Sequence, residues 1–80
     1  MPQLTVYGRE DCHLCHDMIF VLEEMQANLN FNLDIVDVGK DPQLEQRYGH
    51  LVPVLVADGE EICHYFLDRP ALDAYFDKIR

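Results

Sequence analysis

Basic residues are scarce in this 80-residue chain, which has six lysines and arginines against fifteen aspartates and glutamates and a formal net charge of −9. Such a charge repels polyanions, so nucleic acid and an anionic membrane surface are not expected partners. No apolar run approaches the roughly 18 residues of a membrane span, and the first residues have neither a basic segment nor a long apolar stretch. We therefore expect a cytoplasmic protein.

Glycine, proline and cysteine are also few. Four glycines and four prolines in a chain that is 49% hydrophobic argue against a collagen-like, linker-rich or disordered protein. Three cysteines are too few, and odd in number, for the disulfide framework of a small secreted domain. The composition indicates one folded domain over residues 1–80, with cysteine available for thiol chemistry.

Hydrophobic periodicity predicts seven elements in the order β-α-β-α-β-β-α. Strands are expected at residues 4–7, 31–38, 52–56 and 61–66, and helices at about 14–30, 42–48 and 69–79. Asp58-Gly59 favours a tight hairpin turn, and Asp41-Pro42 and Asp68-Arg69-Pro70 are typical helix starts. The first helix carries one apolar stripe, formed by Leu14, Met18, Leu22, Met25 and Leu29. The predicted fold class is α/β, with a four-stranded mixed sheet whose first two strands are parallel.

The pair Cys12 and Cys15 follows the first strand and is predicted to lie on the first turn of the first helix. Unpaired N–H groups at a helix start favour negative charge, so this position stabilises a thiolate at Cys12, the predicted attacking sulfur. Cys15 lies one helical turn further on, close enough to displace a substrate from a mixed disulfide with Cys12. The pattern predicts a thiol-disulfide oxidoreductase, with two buried core cysteines as the structural alternative.

Two other interpretations of the same residues stay open. The segment 12–16, Cys-His-Leu-Cys-His, matches the C-x-x-C-H haem-attachment pattern, which the further β-rich segments disfavour. A zinc or iron–sulfur site is the other interpretation, because cysteine and histidine are common metal ligands. Its ligands would come from Cys12, His13, Cys15, His16, His50, Cys63 and His64. Without a metal, Cys63 is expected to be a small buried hydrophobe between apolar strand neighbours.

The residues around the cysteine pair resemble a known family. Tyr7, Arg9 and Asp11 precede the C-x-L-C sequence, and this arrangement resembles the glutaredoxins and, more closely, small glutaredoxin-like proteins with a C-x-L-C active site. Residues 49–59 also look like the loop, proline and hairpin that face the dithiol in that family. The resemblance implies a thioredoxin-like three-layer fold, and thiol-disulfide exchange in cell redox homeostasis through Cys12 and Cys15, with no tightly bound cofactor and no metal.

The resemblance also implies a substrate-binding set. By position, Pro53 follows a cis peptide bond and Val52 pairs its backbone with the substrate. Arg9 can attract a carboxylate of glutathione or of a protein partner, and Asp68 completes the set while capping the last helix. Glutathione-binding members carry a diglycine where this chain has Tyr-Phe-Leu-Asp-Arg-Pro at 65–70.

We therefore expect protein or low-molecular-weight disulfides as substrates, with glutathione at best a weak co-substrate. The alternative function is a non-catalytic thioredoxin-like module that binds a protein partner or a metal.

Overall fold

The computed structural model describes residues 1–79 and confirms the predicted order of elements. In chain order the elements are β1 (Gln3–Gly8), α1 (His13–Met25), β2 (Asn32–Asp37), a 3-10 turn (Val38–Lys40), α2 (Pro42–Tyr48), β3 (Val54–Ala57), β4 (Glu60–His64) and α3 (Arg69–Lys78). The four strands form one sheet in the order β2-β1-β3-β4.

The predicted strand pairing is also confirmed. β1 runs parallel to β2 and antiparallel to β3, so that Val6 lies opposite Ile35 on one side and Leu55 on the other. β3 and β4 form the antiparallel hairpin, and its turn places Asp58 at φ 53° and Gly59 at φ 80°. Two successive positive φ values define the turn type whose twist matches that of the flanking strands.

The sheet separates two hydrophobic clusters, which gives the fold its three layers. Because side chains alternate across a strand, Leu4 and Val6 of β1 face α1 and α3, whereas Tyr7 faces α2. The cluster on the first face contains Leu4, Val6, Met18, Leu22, Met25, Phe31, Leu55, Ala57, Cys63, Leu72 and Phe76. The cluster on the second face is smaller and is centred on Val38, Tyr48 and Val54. Tyr7 and Tyr48 stack there with ring centroids 4.4 Å apart.

The first helix is shorter than its apolar stripe predicts. It ends at Met25 rather than near Asn30, because the following N–H groups donate to carbonyls three residues back: Ala27 to Glu24 at 3.1 Å and Asn28 to Met25 at 3.0 Å. Bonds of this spacing tighten and close the last turn of a helix. The stripe is buried at its centre, whereas Leu14 at its start is 36% exposed.

The ends of three strands also differ from the prediction. β2 stops at Asp37, whose carboxylate accepts the N–H of Gly39 at 2.8 Å and starts the 3-10 turn. β4 stops at His64 because the next residue, Tyr65, has a φ of 65°, outside the extended region. β3 begins at Val54 rather than at Val52, which leaves the Val52 backbone outside the sheet.

The two predicted aspartate caps are confirmed. Asp41 Oδ1 accepts the N–H of Gln43 at 2.9 Å at the start of α2, and Asp68 Oδ1 accepts the N–H of Ala71 at 3.1 Å at the start of α3. Each aspartate satisfies a helical N–H that has no partner within its own helix.

Candidate active site

Cys12 is the N-cap of α1 rather than part of its first turn. Its backbone is extended, with φ −100° and ψ 113°, and its Sγ accepts the backbone N–H of Cys15 at 3.2 Å. The chain reaches this position through a tight turn, in which the N–H of Cys12 donates to the carbonyl of Arg9 at 3.3 Å. The arrangement places the Cys12 sulfur at the positive end of the helix, half-buried and reachable from solvent.

Cys15 lies behind Cys12 and is fully buried. Its sulfur packs against the end of β1, where a Cβ on Gly8 would lie only 2.9 Å from Cys15 Sγ. A side chain at position 8 would therefore collide with the thiol. Burial, reinforced by a hydrogen bond with Cys12, raises the pKa of Cys15 to about 12, although a backbone hydrogen bond from Arg9 acts in the opposite direction.

Arg9 makes an internal ion pair that the sequence pattern did not predict. Its Nη1 donates to Glu45 Oε2 at 2.7 Å, its Nη2 donates to the other oxygen of that carboxylate, and Nη2 also donates to the carbonyl of Gly49 at 2.9 Å. These contacts join the turn before Cys12 to the helix α2. The hydrogen bonds raise the pKa of Arg9 and lower that of Glu45. Glu45 lies 36 residues along the chain, and no local signal marks it as the partner.

Gly49 follows α2, and the absence of a side chain there has a steric reason. Its φ is −55°, so the left-handed conformation often found after a helix is not used. A Cβ at this position would overlap both the carbonyl oxygen and the carboxylate of Glu45. Because glycine has no side chain, the Glu45 carboxylate can pair with Arg9 while it packs directly against the backbone at position 49.

The segment 50–53 lies between α2 and β3 and contains the two residues assigned to substrate docking. The Val52–Pro53 peptide bond is cis, which confirms that expectation of the resemblance. Pro53 is buried and Val52 is half-buried. Tyr65, which the sequence pattern did not single out, contacts both ends of the segment: its N–H donates to Pro53 O at 2.9 Å and its hydroxyl donates to His50 O at 3.0 Å.

Two surface cavities border the first turns of α1. One, of about 610 Å³, reaches Cys15 and is lined by residues of β1, β2 and α1 together with Arg9 and Lys40. The other, of about 210 Å³, is largely apolar and is lined by Leu14, Asp17, Met18, Val21, Tyr65, Phe66 and Leu67. Phe66 is 68% exposed at the rim of the smaller cavity. The predicted substrate residue Asp68 follows this rim as the cap of α3.

Cys63 and His64 lie on β4. Cys63 is buried in the cluster beneath α1 and α3, as expected for a small hydrophobe, and burial raises its pKa. His64 contacts Glu61 at 2.9 Å on the exposed face of β4. Over residues 1–79 no three or more histidine, cysteine or carboxylate side chains converge in a way that could hold a metal ion. None of the helices described is long and apolar enough to cross a membrane.

Comparison with known proteins agrees with this fold. Residues 3–77 match the family described as glutaredoxin-like domain (DUF836), so the chain belongs to that family. The solution structure of protein Ne2328 from Nitrosomonas europaea is 42% identical, with a TM-score of 0.84 over 92% of this chain and 89% of that chain. The X-ray structure of XcR50 from X. campestris is 37% identical, with a TM-score of 0.72 over 94% and 96%.

More distant structures show the fold alone. The glutaredoxin of E. coli is 20% identical, with a TM-score of 0.60 over 95% of this chain and 94% of that chain. The predicted α/β class and the thioredoxin-like arrangement of a four-stranded mixed sheet are thereby confirmed.

Proposed function

We propose that the protein is a thiol-disulfide oxidoreductase that uses Cys12 and Cys15 on protein or low-molecular-weight disulfides. One observation carries the proposal: the Cys12 sulfur caps the start of α1 within reach of solvent, while the Cys15 thiol is buried directly behind it. An exposed sulfur at a helix start and a protected second thiol are the two parts that a dithiol exchange cycle needs.

The cycle begins with attack on the substrate. The Cys12 thiolate attacks one sulfur of a disulfide, the substrate S–S bond breaks, and the first substrate thiolate leaves and takes up a proton. Cys15 then loses its proton and attacks the Cys12 sulfur, which forms the Cys12–Cys15 disulfide and releases the second substrate thiol. Two electrons have passed from the protein dithiol to the substrate. A thiol reductant, two monothiols or one dithiol, returns them, and no bound cofactor is required.

The high pKa of Cys15 determines the order in which the two cysteines react. A thiol with a pKa of about 12 is protonated at neutral pH, so Cys15 does not compete with Cys12 for the incoming disulfide. Cys15 acts only after the mixed disulfide has formed at the sulfur beside it.

The proposed substrate-binding residues lie mainly in the segment 50–53 and at the start of α3. The Val52 backbone lies outside the sheet and is assigned to pairing with an extended substrate, with Pro53 beside it. Arg9 and Asp68 are assigned to polar groups of the substrate. Both already have partners, since Arg9 pairs with Glu45 and Asp68 caps α3, so each contributes to a substrate only through its remaining exposed surface.

Glutathione is proposed as a weak partner at best. A glutathione carboxylate needs free N–H groups at the start of the last helix, where Asp68 already accepts the N–H of Ala71 and Pro70 offers no donor. Leu67 adds bulk at the same place. We extend the proposal to maintenance of the thiol-disulfide balance in the cytoplasm, with protein disulfides as the main substrates.

The test compares cysteine variants on two substrates, a protein disulfide and a mixed disulfide with glutathione. We expect Cys12→Ser to abolish both reactions and Cys15→Ser to abolish reduction of the protein disulfide, because Cys15 releases the product. Cys63→Ala is the matched control and should keep both activities.

Two results contradict the proposal in different ways. If Cys15→Ser keeps high activity with glutathione and wild type is no better on the protein disulfide, the protein is a glutathione-dependent one-cysteine enzyme. If Cys12→Ser and wild type are equally inactive, the fold serves as a non-catalytic binding module.

A further inference from the structure

The turn after β4 is built around Tyr65 in an unfavourable backbone conformation. Its φ of 65° lies in the left-handed region, which bulky side chains rarely adopt. Across this residue, the N–H of Phe66 donates to the carbonyl of His64 at 2.8 Å. A hydrogen bond between residues two apart around a positive φ is the rarer and more strained form of γ-turn. Such strain persists only where neighbouring contacts hold the residue in place.

Two hydrogen bonds from Tyr65 supply such contacts, and both end on the segment 50–53. The backbone N–H donates to Pro53 O at 2.9 Å, and the hydroxyl donates to His50 O at 3.0 Å. One residue thus ties both ends of the segment that contains Val52. Tyr65 is 40% exposed, so burial is not the main reason for its position.

The turn at Tyr65 also borders the start of α1. The Tyr65 ring lines the cavity of about 210 Å³ together with Leu14, which is only two residues beyond Cys12. The strained turn, the segment 50–53 and the start of α1 therefore meet at one end of the molecule.

We propose that Tyr65 is a positioning residue, which holds the segment 50–53 so that the Val52 backbone can pair with an extended protein substrate. The inference rests on the oxidoreductase function proposed above. It concerns substrates that continue beyond their sulfur atoms, because only these have a backbone to pair with Val52. A small disulfide such as bis(2-hydroxyethyl) disulfide has none, so its reduction is independent of Tyr65.

Tyr65→Phe tests this role, because it removes the hydroxyl and keeps the ring and the backbone bond. We expect the KM for a peptide disulfide to rise about three- to ten-fold, the equivalent of one net hydrogen bond, with kcat unchanged. The kinetics with bis(2-hydroxyethyl) disulfide should stay at the wild-type values. Tyr75→Phe is the matched control: it removes a hydrogen bond of 3.2 Å from the Tyr75 hydroxyl to Asp58, in the turn at the other end of the hairpin, and should leave both substrates unaffected.

Tyr65→Asn separates positioning from stability. Asparagine tolerates a positive φ better than tyrosine, so this variant relieves strain while it also removes the hydroxyl. We expect a urea midpoint at or above that of wild type, together with the same rise in KM for the peptide.

Three outcomes decide the matter. An unchanged peptide KM in Tyr65→Phe, or an equal change for the small disulfide, overturns the role of Tyr65 and leaves the oxidoreductase proposal standing. A wild-type protein that reduces neither substrate overturns the proposed function and this inference with it. A rise in KM restricted to the peptide, in both Tyr65 variants, supports the role.

Discussion

Cys12 and Cys15 are separated by one helical turn, yet their environments differ sharply. Cys12 precedes the helix and is only half-buried, whereas Cys15 is the third residue of α1 and is buried beside Gly8. The spacing of the pair is visible in the sequence. The burial of the second thiol is not, because it depends on how closely α1 packs against β1.

This difference predicts the order of alkylation. Limited treatment of the reduced protein should modify Cys12 first, because Cys15 is 0% and Cys63 is 8% exposed and burial raises the pKa of both. Mass mapping of the modified peptides measures the order. Modification that begins at Cys63 would show that the exposed nucleophile has been wrongly assigned.

Gly8 is predicted to be required for the position of the Cys15 thiol. Gly8→Ala should lower the free energy of unfolding of the reduced protein by about 1–3 kcal/mol, because the new methyl group overpacks a site where Sγ is 2.9 Å away. Urea denaturation measures the loss. In a Cys15→Ala background the same substitution should cost less, because the sulfur is gone. Equal costs in the two backgrounds would mean that the thiol is not the obstacle.

At the scale of elements, caps and turns were the most predictable features. Asp41, Asp68 and the Asp58-Gly59 pair act through atoms within three residues of themselves, and all are confirmed. The end of α1 was predicted wrongly, near Asn30 instead of Met25, because an apolar stripe can continue past a helix into the loop that covers the core. Leu29 keeps the stripe's spacing but lies beyond the helix, against the core.

The contact between the active-site turn and α2 depends on the Arg9–Glu45 pair and predicts a pH dependence. Because Arg9 lowers the pKa of Glu45 in the folded protein, the pair stabilises the fold above the ordinary carboxyl pKa of about 4.3. That contribution is lost as the pH falls through the lower, folded-state pKa. Wild type should therefore be more stable than Glu45→Gln at pH 7, and the difference should disappear in strong acid.

Urea denaturation at several pH values measures this difference. Glu23→Gln removes the same charge from an exposed position of α1 and is the control, for which we expect little effect at any pH. A difference between wild type and Glu45→Gln that is the same at neutral and acidic pH would show that the pair is not the cause.

At the scale of the whole molecule, the net charge of −9 acts on every approaching substrate. Glu10, Asp11 and Asp17 are exposed close to Cys12, so this end of the molecule contributes to the negative field. The field attracts cationic disulfides and repels anionic ones such as glutathione disulfide, and salt weakens both effects.

The charge predicts opposite salt dependences for two substrates. When the ionic strength rises from about 0.01 M to about 1 M, where the screening length falls from about 30 Å to about 3 Å, kcat/KM should fall several-fold for a basic peptide disulfide and rise for glutathione disulfide. The neutral bis(2-hydroxyethyl) disulfide is the control. A parallel change for both charged substrates would exclude electrostatic selection.

The sequence by itself determined the order of elements, the hairpin turn, the helix caps and the spacing of the dithiol, because each of these depends on residues that are close together in the sequence. Tertiary structure decided the rest. It buried Cys15 behind Gly8, paired Arg9 with a carboxylate 36 residues away, and placed Tyr65 on the segment 50–53. These contacts join residues of different elements, and they form only when helices pack on both faces of one sheet and β3 pairs with β4.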